Sequence, residues 1–430
     1  MTHLAIHNIG PIKEIDIDLN RFNVFIGPQS SGKSTIAKII SFCQWLEKDC
    51  IVRQQSSHID EDFVKERLVK YHNISDYLKP DSYFLYQGNS LNITYIAERL
   101  DVRPNEQYKE VKVSKNAYLP AERNVIAVPG IFSTKMPDNY LSSFLDDWQH
   151  IRAKFGSGDK VDILNLGESY FYDESTNADM LSMRNGENLH LSQASSGLQS
   201  ITPLCVYIAY ITEWIYSHSE DRSSDERKRI WDAAVAKSIF DDVELPLDGV
   251  YADKNSSLSS KFRALSDSLQ NSPVKETEDL MLGKINRWSE LLSNPSFSNI
   301  VIEEPELNLF PKTQANLVYY LLSKVDHTRD NLVITTHSPY ILYALNNCIL
   351  ANLVKEHLVK EDWENLDVPE WAKLDGKDIS VWELRDGFIV DDCGKRNVTI
   401  QDKTGLIRGN YFDRVMHNIM ADFNFLLNYK

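Results

Sequence analysis

"FIGPQSSGKSTIAK", Phe25–Lys38, is the stretch that decides the fold. Gly27, four residues, then Gly32, Lys33 and Ser34 give the G-x-x-x-x-G-K-[ST] spacing of a phosphate-binding loop. The preceding "RFNVFIG" reads as an apolar strand, and the following "STIAKIISFCQWLE" carries apolar residues at helical spacing. Strand, glycine turn and helix are what a phosphate cradle requires. Backbone N–H groups and the positive helix end face the anion, and Gly32 lets the backbone approach it. Gly27, Pro28, Gln29, Ser30, Ser31, Gly32, Lys33, Ser34 and Thr35 are therefore the candidate ATP contacts. Lys33 is expected to reach the β- and γ-phosphates and Ser34 to hold Mg²⁺. The bland alternative is a Gly/Ser-rich turn that merely starts a helix.

The bounds are those of a globular protein. The chain has 430 residues, 42% hydrophobic and 25% charged, enough to bury a sizeable core. "MTHLAIHNIG" lacks the basic start and apolar run of a signal peptide. The longest apolar stretch, "LCVYIAYITEWIYS", contains Glu213 and is too short for an ordinary membrane span. Cys43, Cys50, Cys205, Cys348 and Cys393 show no paired metal-ligand spacing. These features lead us to expect a cytoplasmic protein without a membrane partner. A formal net charge of −16 opposes unspecific coating of nucleic acid and leaves only a local basic groove for it.

Three further segments narrow the class. "SNIVIEEPELNLFPKTQ" runs a β-branched strand, Ile300–Ile302, into Glu303 and Glu304, and Pro305 stops it. Glu303 at the strand end can serve the Mg²⁺ shell, and Glu304 can orient or deprotonate the attacking water. "NLVITTHSPYIL" delivers His337 at the end of another strand of parallel type, on the sheet edge expected to carry the P-loop. There it can sense or polarise the γ-phosphate. "LSQASSGLQS" places Ser195, Ser196, Gly197 and Gln199 around a helix start near Leu198, a second anion site. Taken singly, a charge pair, a histidine and a Ser-Ser-Gly cap each have an ordinary structural reading. A GTPase would also carry an Asn-Lys-x-Asp base-reading segment, and the sequence has none.

In this order and spacing, the four pieces resemble the ABC ATPase head, in the branch without a transporter. The wording is most similar to the OLD-like (overcoming lysogenization defect) ATPases. "HLAIHNIGPIKEIDIDLNRFNVFIGPQSSGKST" has that branch's two-strand opening, "EEPELNLFPKTQ" its Glu-Glu-Pro-Glu segment, "ITTHSPYIL" its histidine segment, and "AYLPAERN" an element between P-loop and signature. The sequence departs from the family at Asn308 and Phe310, where His is frequent, and at Glu303, where most ABC heads have Asp. No glutamine loop can be assigned; Arg123 is the nearest candidate for a nucleotide contact, and Gln87 a weaker one.

The resemblance implies an α/β fold: a P-loop NTPase of ABC-ATPase-head type, with a mixed sheet, an N-terminal antiparallel part and helical insertions. It implies one head over residues 1–430, with insertions at about 45–110 and 217–290, and a C-terminal hairpin and helix over 345–430 packed on the head. It also implies composite sites. Ser196 and Gly197 of one subunit would close over ATP held by another, so a homodimer or larger assembly is expected to hydrolyse it.

What the chain lacks refines the reading. Val125–His190 holds no sustained heptads, so the long arms of SMC proteins are not expected. "ISVWELRDGFIVDDC" reads as a hairpin turning at Arg385–Gly387. Its Glu383, Asp391 and Asp392 lack the βαβ setting of a Toprim nuclease, so no nuclease site is recognised. By family analogy the function is an ATP-driven sensor or scaffold controlling a separate effector in antiphage defence, as in Septu and PARIS systems. The alternative is a RecF/SMC-like DNA clamp, with "KRNVTIQDKTGLIR" as its best basic segment.

Overall fold

The computed structural model describes residues 2–53, 59–106, 112–218, 230–232, 234–235 and 274–429. β1 (Thr2–Ile9) and β2 (Ile12–Leu19) form the antiparallel opening, and β3 (Phe22–Ile26) leads into the loop before α1 (Lys33–Arg53). β4 (Leu78–Gln87), β5 (Leu91–Ile96) and β6 (Arg99–Pro104) extend the antiparallel side. β7 (Ser114–Leu119) opens the parallel side, which continues through β12 (Phe297–Glu303) and β13 (Asn331–Thr335). The C-terminal hairpin is β14 (Ile379–Arg385) with β15 (Phe388–Ile389). Together they make one 11-stranded sheet in the order β6-β5-β4-β1-β2-β15-β14-β3-β13-β12-β7.

β14, β3, β13, β12 and β7 pair in parallel, while β6 through β2 pair antiparallel. This is a mixed α/β sheet whose central parallel strand β3 leads into the phosphate loop. Its central strands are buried on both faces, which is why they read as unbroken apolar runs. Val24, Ile26, Ile300, Ile302, Leu332 and Ile334 face one core. Phe25, Val301 and Val333 face the other, together with Ile36, Ile39 and Ile40 of α1. The first core is covered by α3 (Ser196–Ala209), α5 (Pro311–Lys324) and α6 (Pro339–Val354).

Between β7 and α3 stand α2 (Tyr140–Arg152) and a small antiparallel sheet of β8 (Val161–Asp162), β9 (Ser169–Asp173), β10 (Ala178–Ser182) and β11 (Asn188–His190). No long arm is present there, as the missing heptads required. α4 (Val274–Ser293) precedes β12.

Three expectations about organisation are corrected. The insertion at about 45–110 is helical only at its start, to Arg53 and in short turns up to Lys70; Leu78–Pro104 is a three-stranded extension of the main sheet. The cause is a period of two: Ser82, Phe84 and Tyr86, then Leu91, Ile93 and Tyr95, alternate inward. The insertion at about 217–290 lies mostly outside the described residues, apart from the start of α4 and a few positions near 230. The hairpin does turn at Asp386-Gly387, both at positive φ (53° and 87°), as a two-residue turn requires. It is, however, no appendage, because β14 lies beside β3 inside the sheet. The last helix, α7 (Tyr411–Leu427), was expected to pack on the head; its first turn does so through Phe412, which lies against the first core, but none of its residues is buried.

Candidate functional site

The site forms at the edge where β3, β12 and β13 end. Gly27 (φ 145°), Ser30 (φ 58°) and Gly32 (φ 105°) hold the loop in left-handed conformations that turn it back over the start of α1. Two glycines are also required for space. A Cβ on Gly27 would lie 2.4 Å from the Leu384 carbonyl of β14, and one on Gly32 would lie 2.7 Å from Ile12. Lys33, 4% exposed, donates to the Gly27 and Pro28 carbonyls (2.9 and 2.8 Å) and to Ser31 Oγ (3.3 Å). Burial lowers its pKa to about 8 against the pull of Glu304, Glu306 and Glu303.

Glu303 ends β12 and is 6% exposed. Its partners are the Tyr118 hydroxyl, which donates to Oε1, and the Ser34 hydroxyl. Burial raises its pKa. A buried carboxylate whose nearest donors are neutral hydroxyls suits a cation, and Ser34 beside it completes the pair a Mg²⁺ ion would use. Glu304 sits in the left-handed region (φ 43°), where an L side chain is strained. Its N–H donates to the Thr335 carbonyl at 2.9 Å. That contact holds the strained residue against β13. The Glu304 carboxylate faces His337, with Nε2 and Oε1 3.5 Å apart. The hydrogen bond from His337 outweighs partial burial and holds the Glu304 pKa below the usual carboxylate range. An ionised Glu304 can accept a proton.

Two residues absent from the sequence-based candidates belong to this edge. Glu306 accepts from the His337 backbone N–H at 2.6 Å, and its other oxygen is buried without a partner among the described residues. Burial raises its pKa. Tyr118 reaches across from β7 to Glu303. Glu306 was present in the "EEPE" wording, but no periodicity marks Tyr118; its β7 partner strand is far away in sequence.

Arg123 is corrected. It is 0% exposed, and its five N–H groups meet the carbonyls of Ser200, Pro120, Glu303, Glu304 and Pro305 at 2.9–3.3 Å. No donor remains for a nucleotide. It instead ties the signature helix to the loop bearing Glu304. Gln87 pairs with His3, beside the start of β1 and away from the P-loop.

The Ser195–Gln199 segment lies at a helix start. Ser195 caps α3, its Oγ accepting from Leu198 N at 3.4 Å, and Gln199 Nε2 donates to the Ser192 and Ala194 carbonyls. Ser196 is exposed. A Cβ on Gly197 would lie 3.0 Å from the Asn308 carbonyl, so this helix end abuts the turn after the paired carboxylates. Among the described residues, no hydrogen bond joins it to Gly27–Thr35 of its own chain. P-loop, Glu303, Glu304 and His337 thus come together; the signature stands apart.

The tempting acids of the hairpin are spent. Glu383 is 0% exposed and bonded to Arg385, Arg414 and the Tyr411 N–H. Asp392 pairs with Arg414. In the basic segment, Arg396 pairs with Glu14 and stacks on Phe388, and Arg408 pairs with Asp402. No described helix is long and apolar enough to cross a membrane.

A family model described as an AAA ATPase domain matches residues 292–342, the segment holding β12, both carboxylates and the strand before His337. Solved structures similar to this chain include the SMC head domain from Thermotoga maritima, at 9% identity and TM-score 0.34, covering 80% of this chain and 90% of that one. Another is an Smc head domain with an extended coiled coil, bound to the C-terminal domain of ScpA, from Pyrococcus furiosus. It shows 9% identity and TM-score 0.37, covering 90% of this chain and 95% of that one. No curated protein matches. The sheet, the phosphate loop and the matched carboxylate segment agree on a nucleotide-binding ATPase head.

Proposed function

We propose that this chain hydrolyses ATP in composite sites between two copies, and that closure of the pair is a switch controlling a separate effector. The carrying observation is the exposed, capped start of α3, whose hydrogen bonds stay away from the P-loop of its own chain. A second anion-binding helix end without a phosphate in its own subunit is explained by a phosphate held in another.

The geometry supports the following roles. Gly27–Thr35 cradle the phosphates, and Lys33 exchanges its loop carbonyls for β- and γ-oxygens. Ser34 and Glu303 would hold Mg²⁺, which neutralises phosphate charge when bound. Glu304 takes the proton of the attacking water at Oε1, and His337 keeps that carboxylate ionised and aimed. Glu306 fixes the His337 backbone. Ser195, Ser196 and Gly197 complete the site from the partner, with Gln199 bracing their turn. Arg123 links α3 to the Glu304 loop, so arrival of the signature at a phosphate is felt at the water-activating residue of the same chain.

The antiphage setting and the separate effector rest on the OLD-like wording and on the lack of a free acidic cluster at the hairpin. The clamp alternative is weakened where Arg396 and Arg408 are paired with acids.

Co-expression of Lys33→Ala with Ser196→Arg tests the composite site. Each variant alone should be inactive, while the mixed pair has one intact site in each heterodimer. It should recover about a quarter of the parental rate per subunit. A mixture as inactive as its parents, or an active Ser196→Arg homodimer, would sink the reading. The effector is sought by capture on Glu304→Gln with ATP. A stoichiometric protein whose binding changes with Lys33→Ala is expected, and duplex DNA alone would favour the clamp.

A further inference from the structure

We infer that α7 is a pairing helix for a second copy of this chain. It tethers two heads before nucleotide closes them.

The helix is anchored at its base and bare beyond it. The Tyr411 N–H donates to Glu383 Oε2 (2.8 Å), Arg414 binds Glu383 and Asp392, and the Tyr343 hydroxyl donates to Asp413 (2.9 Å). Glu383 lies opposite Ile26 in the sheet, one residue before the phosphate loop, and Tyr343 belongs to the helix that follows His337. The base of α7 therefore sits at the edge that carries the nucleotide site. After the first turn no described residue covers the helix. Val415, Met416, Ile419, Met420, Phe423, Phe425, Leu426, Leu427 and Tyr429 are between 38% and 77% exposed.

Spacing, charge and area indicate the occupant. Met416, Ile419, Phe423 and Leu426 recur at steps of three, four and three, the seam of a helix that packs on another helix, while Phe412 at the base packs on the first core of the head. The flanks are apolar too, at Val415, Met420 and Leu427, so the face is wider than a two-residue seam. Asp413 and Arg414 are used at the base, leaving Asp422 as the helix's other formal charge. Nothing on this face repels an identical face, and nothing seeks an opposite charge. Without Phe425 and Tyr429, which lie off this face, the exposed side chains present on the order of 700 Å² of apolar surface, a little under the roughly 800 Å² per partner of a stable interface. A second copy supplies such a face from the same position, on a two-fold axis passing near the edge where heads would meet. That choice of occupant rests on the two-headed reading above; the pairing itself needs no nucleotide. Tethered heads then close on ATP at a high effective concentration.

The test uses the full chain without nucleotide. The parent should sediment as a dimer at micromolar concentration, and the double variant Ile419→Glu/Phe423→Glu should dissociate at least about a hundredfold more readily. In a Cys393→Ser background, which removes the exposed native thiol, Ile419→Cys should oxidise to a covalent dimer. Ala421→Cys, on the opposite face, should not. A monomeric parent with no Ile419→Cys cross-link overturns the proposal, as does equal cross-linking at both positions. Parent protein that is monomeric and co-sediments with phosphatidylcholine–phosphatidylglycerol vesicles would also overturn it, in favour of a lipid surface. Failure of the Lys33→Ala/Ser196→Arg pair to recover activity, with the α7 dimer intact, would instead fault the composite site alone.

Discussion

Lys33 and Arg123 are both buried cations near the Glu303-Glu304 loop, and they are used in opposite ways. The acceptors of Lys33 all lie within six residues of it, in one loop. Those of Arg123 lie in three segments, up to 182 residues away. A loop of that kind can re-form around a phosphate, because the carbonyls Lys33 releases are near the surface of the site. Arg123 cannot release its carbonyls without taking donors from buried groups on α3, just after β7 and in the Glu303–Pro305 segment. One cation is poised for a ligand, and the other is committed to architecture. Glu47 shows a third treatment: 4% exposed, it accepts among the described residues only from the backbone of Ser90 and Leu91, and burial raises its pKa to about 7. Its charge is suppressed by protonation.

This contrast can be broken by substitution. The largest effect is expected at Arg123. Arg123→Ala should cost about 4 kcal/mol of stability by removing five donors from buried carbonyls, of which only that of Glu304 has a second donor outside a helix, the Leu307 N–H. Chemical denaturation measures it, and a loss of hydrolysis with unchanged stability would mean that Arg123 serves the nucleotide after all. Next comes Glu304→Gln, which should slow hydrolysis by roughly a hundredfold, or about 2.7 kcal/mol of barrier, with ATP still bound. Because Glu304 is half-buried and strained, its melting temperature should stay close to the parent's. A large fall in stability would move Glu304 into the architectural class.

The smallest effect concerns pH. The folded-state pKa of Glu47 is raised, so its favourable contribution is complete below the unfolded value near 4.5 and is lost as pH rises through about 7. Between pH 6 and pH 8 this group alone should remove about 1.4 kcal/mol of stability. His72 works the other way, since burial lowers its pKa to about 3 and its neutral form is favoured as pH rises through the unfolded value. The informative quantity is therefore the difference in pH slope between the parent and Glu47→Gln. Equal slopes would show that Glu47 is not buried in its protonated form.

The candidate site was readable because each of its pieces is local. A left-handed glycine in a loop, two acids at a strand end and a histidine just before a Ser-Pro helix start are each written within a few residues. So was the Asp386-Gly387 turn. The alternation of Leu78–Ile96 was equally local, and it shows that a period of two outweighs a general expectation of helical insertions. Arg123 was misread because guanidinium chemistry fits a phosphate or a set of carbonyls equally well, and only the path of the chain decides which arrives.

By itself the sequence determined the phosphate loop, the carboxylate pair, the histidine and the capped signature, since each depends on backbone conformation over one turn or strand. Tertiary structure alone decided that the C-terminal hairpin enters the sheet beside β3, some 350 residues from it in sequence. It also decided that α7 leaves the head after its first turn. A strand needs neighbours to satisfy its backbone, so β14 had to be placed in a sheet. A helix satisfies its own, so α7 could be left with an apolar face for another surface to cover.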